Sequence, residues 1–288
     1  MNKEEFIILM YGARRTGKTS ILASMLSNFH DITAGTDIRL TPQFKTMGKL
    51  QEKREELENV FVSKTVNSVW EIDPDPTSQI TAYSFNMNIV DTSIGFMITF
   101  VDIPGEHLRH EDGIKEAQGW LSKCDVVIVA IDTPHMMEEN GKFNEVFNKK
   151  TLLFNLFADC PKFYESNKMI LFVPLKCEKY YHENRMDEVK QAVRDSYKNI
   201  IAHMGNPKLK NKITMAITPI LTMGDVVFSH FGRNAKCMIE TYEIGSEKFR
   251  PRHVYYRLRN SEAEFSPKFC EQPLVYCLAY ILKLSNPN

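Results

Sequence analysis

The chain has 288 residues, 43% hydrophobic and 25% charged, which suits one large globular domain or two small ones with a sizeable core. Lys plus Arg and Asp plus Glu number 36 each, so the bulk charge argues against nucleic acid or an anionic membrane as the main partner, while leaving a local basic patch open. Six cysteines form no C-x-x-C pair, the start is polar, and no stretch approaches the ~20 apolar residues of a membrane helix; the expectation is a reduced, cytoplasmic protein without a membrane span.

The first element is an apolar run at 6–11, read as a buried strand. A glycine-containing loop follows, then a helix from about Lys18 to Asn28. Residues 31–78 are less regular. Thr41-Pro42 suits a helix start, because proline fits the first helical position. Phe44, Met47, Leu50, Leu57 and Val60 then recur at roughly helical spacing. Asp73-Pro-Asp-Pro breaks the chain. Two β-rich runs across 80–102 flank Asp91-Thr-Ser-Ile-Gly95 and read as a hairpin ending at Asp102.

Residues 125–131, DVVIVAI, read as a buried strand, followed by a helical pattern from Phe143 to Phe157. KMILFVPL at 168–175 is another buried strand. Helical spacing covers 185–204, a strand and turn cover 213–224, and 226–258 reads as additional β structure. QPLVYCLAYILKL closes the chain as a helix with proline near its start. Strands that alternate with helices, apart from one hairpin, predict a three-layer α/β fold. Its sheet is mostly parallel with one antiparallel strand, and helices cover both faces. The simplest organisation is a single domain over 1–288 with a helical insertion at about 30–72 and a β insertion at about 225–258.

The loop Gly12-Ala-Arg-Arg-Thr16-Gly17-Lys18-Thr19 fits G-x-x-x-x-G-K-[ST]. Glycines let the backbone turn and aim N–H groups at phosphate oxygens. The helix beginning near Lys18 adds the positive end of its dipole. Gly12, Arg15, Thr16, Gly17, Lys18, Thr19 and Ser20 are therefore the candidate phosphate-binding residues. Lys18 would reach the β- and γ-phosphates, and Thr19 would offer a hydroxyl to Mg²⁺. Asp102-Ile-Pro-Gly105 ends a later strand. There Asp102 is a candidate Mg²⁺ ligand through water, and Gly105 a backbone donor to the γ-phosphate; the same residues also make a good strand-ending turn.

With these motifs the chain resembles the translation-factor-related class of P-loop GTPases, which includes the Ras-like proteins. The resemblance covers about residues 5–225 and the last helix. It implies a Ras-like P-loop fold, GTP/GDP with Mg²⁺ as ligands, and Mg²⁺-dependent hydrolysis acting as a switch for a protein partner. In that class a threonine after the first helix closes over Mg²⁺ and the γ-phosphate. Asp75-Pro76-Thr77 looks like the Ras-like D-P-T, so the role passes to Thr77, with Thr65 and Thr81 as competitors. The guanine-reading motif is usually [NT]-K-x-D; here it is Leu175-Lys176-Cys177-Glu178. Lys176 would lie along the base and Glu178 would accept from guanine N1 and N2. Thr222-Met223-Gly224 resembles a degenerate loop supporting guanine O6. Glu106 stands where Ras-like enzymes place a water-orienting glutamine, with His107 one residue later. Arg14 and Arg15 replace small residues of the loop, and their charges would either stabilise the transition state or crowd the water.

The strings VPLKCE, DIPGE, TPILTMG and FCEQPLVYCLAYIL are similar to the bacterial double-GTPase group, which would imply operon-encoded or GTPase-like partners in a conflict or signalling system. Two other readings stay open: an ATP-using P-loop enzyme, and a nucleotide-bound interaction scaffold with little turnover. His107, His110 and Glu111 also have spacing that could suit a metal on one helix face, against the reading of a charged loop. Tyr180-Tyr181, Tyr255-Tyr256 and the phenylalanines of 143–157 read as packing or partner contacts.

Overall fold

A computed structural model describes residues 4–13, 16–26, 33–71, 79–209, 211–232, 242–244, 247–249 and 253–285. In chain order the first elements are β1 (Glu5–Tyr11), α1 (Lys18–Leu26), β2 (Ile38–Pro42), α2 (Phe44–Ser63), β3 (Trp70–Glu71), β4 (Thr81–Ile89) and β5 (Gly95–Asp102). Next come α3 (Glu111–Lys123), β6 (Val126–Asp132), α4 (Thr133–Met137), α5 (Asn144–Asn148), α6 (Lys150–Ala158), β7 (Lys168–Leu175) and α7 (Glu178–His182). The chain ends with α8 (Met186–Ser196), α9 (Lys198–Met204), β8 (Ile213–Ile217), β9 (Val226–Gly232), β10 (Tyr242–Ile244), β11 (Glu247–Phe249), β12 (His253–Leu258) and α10 (Glu271–Ser285).

The main sheet has the order β2-β4-β5-β1-β6-β7-β8. β1 pairs in parallel with β5 and β6, and β6-β7-β8 continue in parallel. β4 is antiparallel to both β2 and β5, so it alone runs against the other six strands. β6 and β7 are buried along their whole length, as expected of parallel strands covered on both faces. One face packs on α1, α10 and Leu50 of α2; the other packs on α3, α6, α8 and α9. The three-layer α/β sheet expected from the strand–helix alternation is therefore the observed one.

Two local expectations change. Thr41-Pro42 does not start a helix: both residues end the edge strand β2, and α2 begins at Phe44. Proline is tolerated there because an edge strand has one side without ladder partners, and the pairing with β4 outweighs the local helix-start signal. The helical pattern of 143–157 is broken into α5 and α6 at Lys149, which takes a left-handed φ of 48°.

The chain segments expected as insertions meet. β3 pairs with β12 across the sequence, Trp70 opposite Tyr256 and Glu71 opposite Tyr255. β9 pairs with the other side of β12. The resulting three-stranded sheet buries Trp70, Val226, Val254, Tyr256 and Leu258 against Leu57 of α2, Ala23 of α1 and Met223. Each such aliphatic side chain contributes ~1.5–3 kcal/mol on burial. The small sheet is thus anchored on the helix that follows the glycine loop.

Candidate functional site

β1 runs into the glycine loop at the carboxyl edge of the sheet, and α1 leaves it. Gly17 has φ +103°, and a Cβ there would meet Leu175 Cδ1 at 3.3 Å. A Cβ on Gly12 would lie 2.8 Å from Thr16 Oγ1. Both glycines are therefore required by the turn rather than merely allowed. Thr16 Oγ1 donates to Ala13 O at 2.9 Å and closes the loop on itself.

Lys18 is buried, and its Nζ donates to Gly12 O at 3.0 Å and Ala13 O at 3.3 Å. It also lies 3.8 Å from Asp102 Oδ1. Burial pushes its ammonium pKa down, opposed by the Asp102 charge. Asp102 is fully buried at the end of β5, and its Oδ2 accepts from Thr19 Oγ1 at 2.9 Å. The register places Met10, just before the loop, opposite Asp102. Thr19 and Asp102 are hard oxygen donors held side by side, a donor set that fits Mg²⁺ with retained waters. Tyr83 on β4 belongs to the same cluster and was not singled out in the sequence. Burial and the Asp102 charge push its phenol up to about 12, against a hydrogen bond with Thr19. Its only sequence signal is its place among the inward-facing positions of β4, next to the strand that ends at Asp102.

The other end of the site lies after β7. Leu175, at the position where an [NT]-K-x-D motif would have Asn or Thr, is fully buried and packs beneath Gly17. An apolar contact stands where the motif residue would be polar. Lys176 takes a left-handed φ of 61°, a conformation that costs a residue with a Cβ ~1–2 kcal/mol. Its Nζ donates to Asp132 Oδ2 at 2.6 Å. Asp132, at the end of β6, also accepts from the His135 backbone at 3.2 Å and faces His135 Nδ1 at 2.7 Å. Burial pushes the Asp132 carboxyl up, but His135 and Lys176 outweigh it and hold the group well below the usual carboxylate range.

Glu178 is the first residue of α7 and is only 2% exposed. Its Oε1 accepts from Met223 N at 2.9 Å and Thr222 Oγ1 at 3.3 Å. Its Oε2 is buried with no hydrogen-bond partner among the described residues. Burial pushes its carboxyl pKa up, against the hydrogen bonds from Met223, Gly224 and Thr222. Ser24 Oγ donates to Thr222 O at 3.1 Å, tying the 222–224 loop to α1. A cavity of about 420 Å³, its solvent-facing mouth included, runs between Thr16, Gly17 and Ser20 on one side and Lys176, Glu178 and Thr222 on the other.

Among the remaining sequence candidates, Arg14, Arg15 and Thr77 lie outside the described residues. Gly105 is buried, and its carbonyl accepts from Lys149 Nζ at 3.5 Å. Glu106 precedes a 3-10 turn over His107–Arg109. His107 lies in that turn, His110 is extended, and Glu111 opens α3, so the three share no helix face. Among the described residues no three His, Cys, Asp or Glu side chains gather as a metal-binding group. Nor is any described helix long and apolar enough to cross a membrane. Tyr180 and the Phe143 and Phe157 rings are core, whereas Tyr255 stacks on His230 at 5.1 Å.

No family model matches the chain, and no curated protein matches it. Solved structures similar to it include the signal recognition particle receptor SRb-GTP/SRX complex from Chaetomium thermophilum. That match has 13% identity and a TM-score of 0.42, covering 76% of this chain and 92% of that one. The S. cerevisiae Ski7 GTPase-like domain, bound to GDP and inorganic phosphate, is similar at 13% identity and TM-score 0.40, over 76% of this chain and 43% of that one. Roco2 RocCORdC of Methanosarcina barkeri, bound to GDP, is similar at 12% identity and TM-score 0.31, over 77% of this chain and 45% of that one. This chain thus spans less than half the length of the Ski7 and Roco2 chains.

Proposed function

We propose that this protein binds guanine nucleotide and hydrolyses GTP slowly to GDP and phosphate, as a nucleotide-controlled switch. One observation carries the reading: a single cavity joins the phosphate-type loop to a buried carboxylate with an unpartnered oxygen. The loop offers Thr16, Gly17 and Ser20; the far end offers Glu178. A carboxylate accepts only, which suits the N1–H and N2–H donors of guanine. The N1 of adenine is itself an acceptor and repels it, so an ATP-using enzyme is the weaker reading.

In this reading phosphate oxygens replace the carbonyls that Lys18 now holds, and Gly12, Arg15, Thr16, Gly17, Thr19 and Ser20 cradle them. Thr19, Asp102 and Thr77 would hold Mg²⁺, which when bound neutralises charge on the β- and γ-oxygens. Glu106 positions the attacking water, Gly105 donates to the γ-phosphate, and Arg14 stabilises charge in the transition state. Lys176, held by Asp132, flanks the base. The segment after Asp102 is the moving part. Ile103 and Leu108 of that segment belong to the same apolar cluster as Ala117 and Leu121 of α3, and that packing would rearrange when the γ-phosphate leaves. The surface it forms would be read by a protein partner, as an operon-encoded or GTPase-like subunit would in the bacterial double-GTPase group.

The test is a displacement titration. Protein loaded with fluorescent GDP and Mg²⁺ is challenged with GTP, GDP, ATP and ADP. A hundredfold preference for guanine nucleotides, ~2.7 kcal/mol, is expected. Equal competition by ATP would remove Glu178 as a guanine reader. Phosphate release from GTP under the same conditions tests turnover.

A further inference from the structure

The nucleoside end of the cavity has a wall that the loop and the base motif do not supply. Leu57 of α2, Val226 of β9 and Tyr256 of β12 complete its lining, and all are at most 3% exposed. They come from the two sequence insertions, which meet in the β3-β12-β9 sheet. Tyr256 sits at its centre, opposite Trp70 on one side and Phe228 on the other.

Two further observations single out Tyr256. Its hydroxyl is buried with no hydrogen-bond partner among the described residues, although buried hydroxyls are nearly always bonded. The β9–β12 register also shifts between Tyr255 and Tyr256. The extra residue there, Ser229, belongs to β9, so β12 keeps its ordinary alternation of side chains. Here Tyr255 goes to the His230 ring, while Tyr256 goes to the cavity. Glu178 Oε2 is the other unpartnered buried oxygen among the side chains lining the same space.

We propose that Tyr256 is a base-contacting specificity residue, its hydroxyl bonding a purine base whose other edge is read by Glu178. The insertion sheet is then part of the nucleotide site rather than an appendage, and nucleotide occupancy is transmitted to it directly. This rests on the guanine-nucleotide reading above.

The experiment is calorimetric titration of GDP and of inorganic tripolyphosphate, both with Mg²⁺, into wild type, Tyr256→Phe and Lys18→Ala. Tyr256→Phe should weaken GDP about tenfold, ~1.4 kcal/mol, and leave tripolyphosphate unchanged. Its ligand-free melting temperature should hold or rise, since no hydrogen bond is lost. If GDP binding is unchanged, or both ligands weaken equally, the base contact is refuted while the nucleotide reading stands. A wild type that binds GDP no better than tripolyphosphate, or indifferently to Lys18→Ala, overturns the nucleotide reading and this inference with it.

Discussion

Replacing Glu178 by glutamine should separate recognition from folding. The side chain keeps its size and position at the start of α7. Oε1 already has two partners, Met223 N and Thr222 Oγ1, which a glutamine carbonyl can retain. The amide then falls at the Oε2 position and points two N–H donors at a base edge that also donates. Loss of a hydrogen bond to a charged group costs ~1.5–3 kcal/mol, so guanine affinity should fall roughly tenfold to a hundredfold or more. Ligand-free stability should move the other way. Burial raises the folded-state pKa of Glu178, so its contribution is fully present below the unfolded pKa and is lost as pH rises through the folded one. Glutamine does not titrate, and Glu178→Gln should melt above wild type at pH 8 with a gap that narrows toward pH 4. Fluorescent-GDP displacement and thermal melts at several pH values read both effects. An unchanged GDP affinity, alongside a Lys18→Ala variant that no longer binds, would refute the argument that this carboxylate faces the base.

Lys18→Ala removes the cation beside the phosphate site, and two charge-assisted bonds of ~1.5–3 kcal/mol each imply at least a hundredfold loss of GTP affinity, measured by the same titration. Gly17→Ala forces a Cβ residue to φ +103° against Leu175; a destabilisation of ~1–2 kcal/mol should appear as a lowered melting temperature, and an unchanged melt would mean the loop adopts another turn. Asp132→Asn breaks the buried pairing with Lys176 and His135, for which a loss of ~3–5 kcal/mol in denaturant unfolding is expected. The wild-type contribution of Asp132 is present above the unfolded carboxylate pKa of ~3.9 and fades as pH falls toward the depressed folded value. The gap between wild type and Asp132→Asn should therefore shrink in acid, and a gap that widens would contradict the assignment.

The glycine loop, the buried runs that became β6 and β7, and the acid at the tip of β5 could all be read from the sequence. Each is specified locally: by a left-handed glycine, by an unbroken apolar run, or by a strand end beside turn residues. The antiparallel β4 was legible for the same reason, since a five-residue turn joins it to β5. β2 was not, because its pairing with β4 overrides the helix-start signal of Thr41-Pro42. Nor was the hold of Asp132 on Lys176, made across 44 positions. The pairing of β3 with β12 was equally hidden. Trp70 and Tyr256 are far apart in sequence and adjacent in space, and only closure of the long intervening chain brings them together. Local patterning determined most of the strands and helices and the glycine loop, because those preferences act over a few residues. Which of those segments share a cavity was decided by tertiary packing, because a contact between distant residues forms only when burial of the whole core offsets the entropy of closing the chain between them.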